Sequence, residues 1–375
     1  MRSVAALLFG LSATAHAQSA LPEWTLGASP LVTVEADGTP RTEFQYISAV
    51  ARLSNGNVAV VHPATHEIRI FNAKGAFVST FGRKGQGPGE FEFMIWAGRA
   101  GDTTLIFDGS LRRIQSVVLT PSPRLVGEQL VTLEAPEGEL SIHGRLPDGR
   151  WLAQGLAMPE PTKKTGPYRI PGYIGIANRT LTGPVQWQPR MPDGDAFAYI
   201  EPGRGLSLKV RAFPAALISI VSGNAIWFGE GATDSLFRLD ASTGQRKVVR
   251  VQRGDVVTPV MVDAARAREL EIARRRNDSV VIRLRYGPDY LPKRLPSYSG
   301  LVTGPRGEVW VEHGTAAQID ATRYLVLSSS GTNVARLTTP AGFRIREVGT
   351  DYVAGVHTDD DGVQTVRVYS LKRGG

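Results

Sequence analysis

An all-β fold, a six-bladed β-propeller closed by an N-terminal strand and carrying one short helical insertion, is what this sequence predicts. Three observations lead there. A unit the size of a propeller blade, ~40–45 residues, recurs along the chain. Within the units, apolar and polar residues alternate with period two between Gly-containing turns, which is the pattern of strands and not of helices. Finally, the last unit lacks one strand, while an unassigned apolar strand, Leu31 to Glu35, precedes the first.

The clearest unit runs from Ile47 to Leu53, turns at Ser54 to Asn57, and continues through Val58–Val61, Glu67–Phe71 and Ala76–Phe81. The second holds Ile95–Arg99, Thr104–Phe107 and Arg113–Val118. The third starts at Leu140, turns at Pro147-Asp-Gly149 and runs through Trp151. The fourth comprises Leu217–Val221, Ala225–Phe228, Ser235–Leu239 and Lys247–Val251. The fifth contains Leu301–Thr303, Glu308–Val311 and Tyr324–Leu327, and the last Phe343–Val348, Tyr352–Val356 and Thr365–Leu371. No helices separate the strands of a unit, which excludes a parallel α/β sheet. An array of such sheets must close to hide its strand edges, and Leu31–Glu35 is the strand available to complete the last blade. One segment departs from the rhythm. Thr258 as N-cap and Pro259 at the first position open a helix to about Arg276, with Met261, Ala265 and Leu270 set among arginines.

Residues 1–17 read as a signal peptide: Arg2, an apolar run from Val4 to Leu11, and Ala15-His16-Ala17 before Gln18. The run is shorter than the ~20 residues of a membrane span, and no transmembrane segment follows. The mature chain from residue 18 is expected to be one exported domain, periplasmic or secreted. It has no cysteine, so neither disulfide nor lipid anchor is available. The formal charge of +8 is dispersed along the chain and shows no basic–aromatic stripe, so no nucleic-acid partner is expected. The sequons Asn178-Arg-Thr180 and Asn277-Asp-Ser279 are read as loop residues.

Between the first two units stands Phe81-Gly-Arg-Lys-Gly-Gln-Gly-Pro-Gly-Glu-Phe91, followed by Leu105-Ile-Phe-Asp108 and Arg112-Arg-Ile-Gln-Ser116. Over Ile47 to Val118 the chain resembles NHL-repeat and related bacterial six-bladed propellers. The glycines suit a crossing from the outer strand of one blade to the inner strand of the next. That resemblance extends to the peptidyl-hydroxyglycine amidating lyases, in which a zinc histidine corresponds to His66. They carry a tyrosine where Ser110 stands here.

The chain contains no Gly-x-Ser-x-Gly elbow after the signal, no His-Glu-x-x-His and no cysteine nucleophile. His357 to Gly362 imitates a calcium loop, but Val368 replaces the bidentate Glu, so Asp361-Gly362 reads as a hairpin turn. Polar residues close the second strand of most units: His62, Asp108, Glu230, Glu312 with His313, and His357, with only Gln154 in the third. In a propeller these ends share one face, near the channel mouth, where ligand sites are usually built. They are the ligand-binding candidates, and His62, His66 and His357 are the candidates for a metal such as Zn or Ca. Two functions are open. One is a non-catalytic binding scaffold for a peptide, glycan or protein partner, and the other a metal-dependent hydrolase, lactonase or lyase.

Overall fold

A computed structural model of the chain describes residues 21–157, 164–201, 203, 205–273, 279–313 and 321–374. The signal-peptide reading of residues 1–17 lies outside them. Six antiparallel blades follow one another along the chain, and their innermost strands are Ala49–Arg52, Met94–Ala100, Glu139–Arg145, Leu217–Ser222, Gly300–Thr303 and Phe343–Val348.

Period-two strands bury both faces when blades stack, and the second strand of blade 1, Val58–His62, is buried at every position. An apolar cluster fills the seam between each adjacent pair of blades. Ile68, Phe91 and Ile106 join blades 1 and 2, Phe107 and Trp151 blades 2 and 3, Leu152 and Phe228 blades 3 and 4. Trp227 and Val309 join blades 4 and 5, and Trp310 with Phe343 blades 5 and 6. The sixth seam, between blades 6 and 1, closes the ring through Val34, Val50, Phe71 and Val366.

The N-terminal strand predicted to complete blade 6 does so. Val32–Val34 pairs antiparallel with the strand Gln364–Lys372, Val34 opposite Val366. Gly75 in the outer turn of blade 1 approaches this strand with φ +83°, and a Cβ there would overlap the carbonyl of Thr33. Only glycine allows both the conformation and the contact. A second N-terminal strand, Glu23–Leu26, was not legible in the sequence. It lies parallel to Asn333–Ala341 of blade 5 and antiparallel to Gln364–Lys372, the third strand of blade 6. Trp24 anchors it, with its ring 5.5 Å from that of Trp310 and the Arg373 guanidinium over its face.

Three local features extend or correct the sequence reading. Blade 3 is larger than a four-stranded unit, since Gly166–Ala177 and Met191–Glu201 form long arms that Gly205–Val210 extends. Helix α1 (Pro259–Ala273) starts as predicted, with the Met261 N–H donating to Thr258 Oγ1 at 3.3 Å; positions 274–276 lie outside the described residues. Ser279, read as loop, opens a second helix, α2 (Ser279–Arg285). Its short Val-Val-Ile run buries Val281 and Ile282, and α1 packs beside it through Val262 over Phe213 and Tyr286.

Candidate functional site

Antiparallel pairing sets the end of each second strand beside the start of the innermost one. Asp108 faces Met94, Glu230 faces Leu217, Glu312 faces Gly300 and His357 faces Phe343. In blade 1, Val61, next to His62, faces Ala49. Gln154 instead faces Ser141, two residues short of the end of its strand. These strand ends therefore share one face of the ring, and His62, Asp108, Glu230, Glu312 and His313 are each held by local partners.

His62 is 1% exposed, and its Nε2 accepts the Gln45 N–H at 3.2 Å. Its Nδ1 thus carries the proton and donates to Thr65 Oγ1 at 2.9 Å. Burial, helped by nearby Arg69, pushes its pKa down to about 4, so the ring is neutral. The Asp108 carboxylate accepts four backbone N–H groups, from Glu92, Phe93, Ser110 and Leu111, at 2.7–3.2 Å. Glu312, 2% exposed, accepts from Ser299 Oγ, Tyr324 Oη and Arg344 Nη1. The phenol of Tyr324 is raised well above its usual range, first by burial and then by Glu312. Glu230 pairs with Arg169 at 2.7 Å. His313 Nδ1 donates to the Ser297 carbonyl at 2.6 Å, and burial lowers its pKa. His357 is partly buried and likewise lowered, mainly by burial. His66 occupies the left-handed region at φ 61°, with a buried Nδ1 that makes no hydrogen bond. Among the described residues, no three His, Asp or Glu side chains come together as a site for zinc or calcium. The Asp359–Val363 segment forms the hairpin turn read from Asp361-Gly362, with Gly362 at φ +85°.

The crossing segment after blade 1 is also locally satisfied. Glu90 accepts from the Gly87 N–H at 2.8 Å and from Arg83, which together hold its carboxyl below the usual range. Arg113 donates to the carbonyls of Gly87 and Glu90. The segment is a strap between blades and offers no phosphate cradle.

A cavity of about 660 Å³ runs along the innermost strands of all six blades and reaches the turns that follow them in blades 5 and 6. These turns lie on the face opposite the strand ends considered above. Three of the innermost strands are interrupted by β-bulges. Ala97, His143 and Arg346 are the extra residues, each left without a partner on the neighbouring strand. Bulges re-aim side chains and recur beside functional sites, and all three of these residues line the cavity.

The cavity is cationic. Arg99 is neutralised by Glu347, with Nη1 to Oε1 at 3.0 Å. Glu347 also accepts the Arg52 N–H at 2.6 Å, and burial nevertheless raises its pKa. Beside it, the Tyr352 phenol is pushed up to about 12 by burial and by Glu347. Arg145 and Arg346 line the cavity from blades 3 and 6, which stand opposite each other in a six-membered ring. Both are exposed, and neither has a carboxylate partner among the described residues; Arg145 rests 5.3 Å over the Trp151 ring. His143 bonds Ser141 Oγ through Nε2 at 2.7 Å, and burial lowers its pKa to about 4. The reading from strand ends missed this group. In two of the three strands a glycine directly after the extra residue, Gly98 at φ +115° and Gly144, was the legible mark of the bulge, whereas Arg346 carries no such signal.

Comparisons with known proteins agree with this architecture. The model of a family described as a 6-bladed beta-propeller matches residues 35–98. No curated protein matches the chain. Among solved structures, a member of the DUF4221 family from Bacteroides vulgatus is similar over 95% of this chain and 100% of its own, with TM-score 0.52 and 11% identity. A calcium-binding protein, regucalcin, from Agrobacterium tumefaciens covers 94% of this chain and 97% of its own, with TM-score 0.43 and 12% identity. Virginiamycin B lyase from Staphylococcus aureus covers 87% and 80%, with TM-score 0.39 and 12% identity. At such identities the likeness concerns fold alone. The chain is a six-bladed β-propeller.

Proposed function

We propose that this protein is an exported, non-catalytic binding propeller whose central channel takes up a small ligand bearing carboxylate groups. The observation that carries the reading is the pair Arg145 and Arg346, on opposite walls and without carboxylate partners among the described residues, in a cavity of about 660 Å³. Guanidinium groups match carboxylates in planar geometry and stay charged at every physiological pH. A channel with low-dielectric walls also focuses their field on an anion. The Glu347–Arg99 pair leaves that excess charge unspent. His143, neutral at physiological pH, can accept or donate one hydrogen bond to the same ligand. Export rests on the N-terminal pattern of Arg2, the apolar run and Ala15-His16-Ala17, and sequencing the N-terminus of protein recovered from the exported fraction tests it. No helix among the described residues is long and apolar enough to cross a membrane.

The alternative, a metal-dependent hydrolase, lactonase or lyase, would need three convergent donors, and no observation among the described residues favours it. The binding reading is tested by calorimetric titration with citrate at low ionic strength, wild type against Arg145→Ala/Arg346→Ala.

A further inference from the structure

A second cavity, of about 620 Å³, lies away from the channel, between blades 3 and 4 and the segment that returns from the helices to blade 5. Its cations are Arg169, Arg211, Arg250, Arg253, Lys293 and Arg294. The carboxylates that answer them are fewer and are shared. Asp195 pairs with Arg169 at 2.9 Å and with Arg211 at 3.5 Å. Asp234 pairs with Arg250 at 2.6 Å and with Arg253 at 3.0 Å. Glu230 stands behind Arg169. Lys293 and Arg294 are exposed and have no carboxylate among the described residues, although Arg294 Nη1 donates to the Gly254 carbonyl at 3.0 Å.

We propose that this pocket binds a phosphate group carried by a small soluble ligand. Six cationic side chains face three carboxylates, so the site retains several positive charges in a concavity walled by Phe213, Pro292 and Leu295. One carboxylate ligand would leave most of that charge unanswered. A phosphate group carries up to two negative charges and three or more acceptor oxygens, which suits two arginine forks and a lysine. The carboxylates hold the arginines in place: Asp195, 9% exposed, fixes Arg169 and Arg211, and Asp234 fixes Arg250 and Arg253. The basic side of helix α1 is a separate surface, and there Arg266 is already paired with Asp263.

The test is calorimetric titration of the mature chain with pyrophosphate and, separately, with glucose 6-phosphate, at low ionic strength. Wild type is expected to bind at least one of them. Lys293→Ala/Arg294→Ala and, independently, Arg250→Ala are expected to weaken binding about tenfold or more, the equivalent of ~1.4 kcal/mol. Arg145→Ala/Arg346→Ala in the channel is expected to leave it unchanged. All three positions are exposed, and unshifted melting curves verify that the variants fold. Binding of glucose 6-phosphate assigns the site to phosphate esters, and binding of pyrophosphate alone assigns it to inorganic phosphates; either supports the proposal. No binding by wild type, or binding lost only in the channel variant, overturns it and leaves the channel reading standing.

Discussion

Glu347 of blade 6 and Arg99 of blade 2 meet at 3.0 Å across the end of the innermost strand of blade 1. That strand takes part on both sides: the Arg52 N–H donates to Glu347 and the Arg52 carbonyl accepts from Arg99. Three consecutive blades are thereby strapped together next to the seam where the ring closes. The pair serves the architecture, and in doing so it leaves Arg145 and Arg346 as charges of the channel without a carboxylate partner among the described residues.

Replacing Glu347 with Gln should therefore lower the melting temperature without abolishing folding. It leaves Arg99 half-buried and unpaired, and the expected loss is about 1–3 kcal/mol, below that of a fully buried pair because Arg99 is partly solvated. Denaturant unfolding of wild type and variant measures it. An unchanged midpoint would mean that the strap carries no stability.

The closing strand should be essential to the ring. Val34 is fully buried at the seam between blades 6 and 1. Val34→Ala is expected to cost ~1–3 kcal/mol through lost burial and the residual cavity, and Val34→Asp, which buries a charge, considerably more. Thermal melts compare the two, and equal stabilities would contradict seam closure by this strand.

His62 gives the fold an acid sensitivity. Its pKa falls from 6.5 in the unfolded chain to about 4 in the folded one. Between those values the unfolded state binds more protons, so stability rises with pH and is lost as pH falls from 6.5 towards 4, by at most ~3 kcal/mol. His62→Gln should flatten unfolding free energy against pH in that window. It should also leave ligand titrations unchanged, because both ring nitrogens serve Gln45 and Thr65.

Asp108→Ala should destabilise blade 2 and weaken no ligand. The substitution removes the acceptor of four backbone N–H groups, and orphaned buried donors cost ~1–3 kcal/mol each when water cannot reach them. Hydrogen exchange at Glu92, Phe93, Ser110 and Leu111 should accelerate in the variant, and unchanged exchange would contradict the capping role.

The propeller was legible because its signals are local and repeated. Val58-Ala-Val-Val61 and Ser54-Asn-Gly-Asn57 carry a strand and a turn in their own composition, and the spare strand Leu31–Glu35 implied its own partner. The strand Glu23–Leu26 escaped because its hold depends on Trp24 meeting Trp310, a contact invisible along the chain. The second-strand ends were legible as polar positions on one face, but not their partners: Asp108 takes N–H groups from a loop whose course depends on packing. The channel charges were hidden for a related reason. Whether an arginine is free or paired is decided by blades far apart in sequence, as Arg99 and Glu347 demonstrate.

The central claim is that Arg145 and Arg346 make the channel an anion-binding site, and calorimetric titration with citrate at low ionic strength tests it most directly. Wild type should bind, more weakly as salt is raised, and Arg145→Ala/Arg346→Ala should lose about tenfold or more in affinity while Lys293→Ala/Arg294→Ala keeps the wild-type value. Citrate affinity identical in wild type and the channel variant, or no binding at all, would contradict the account.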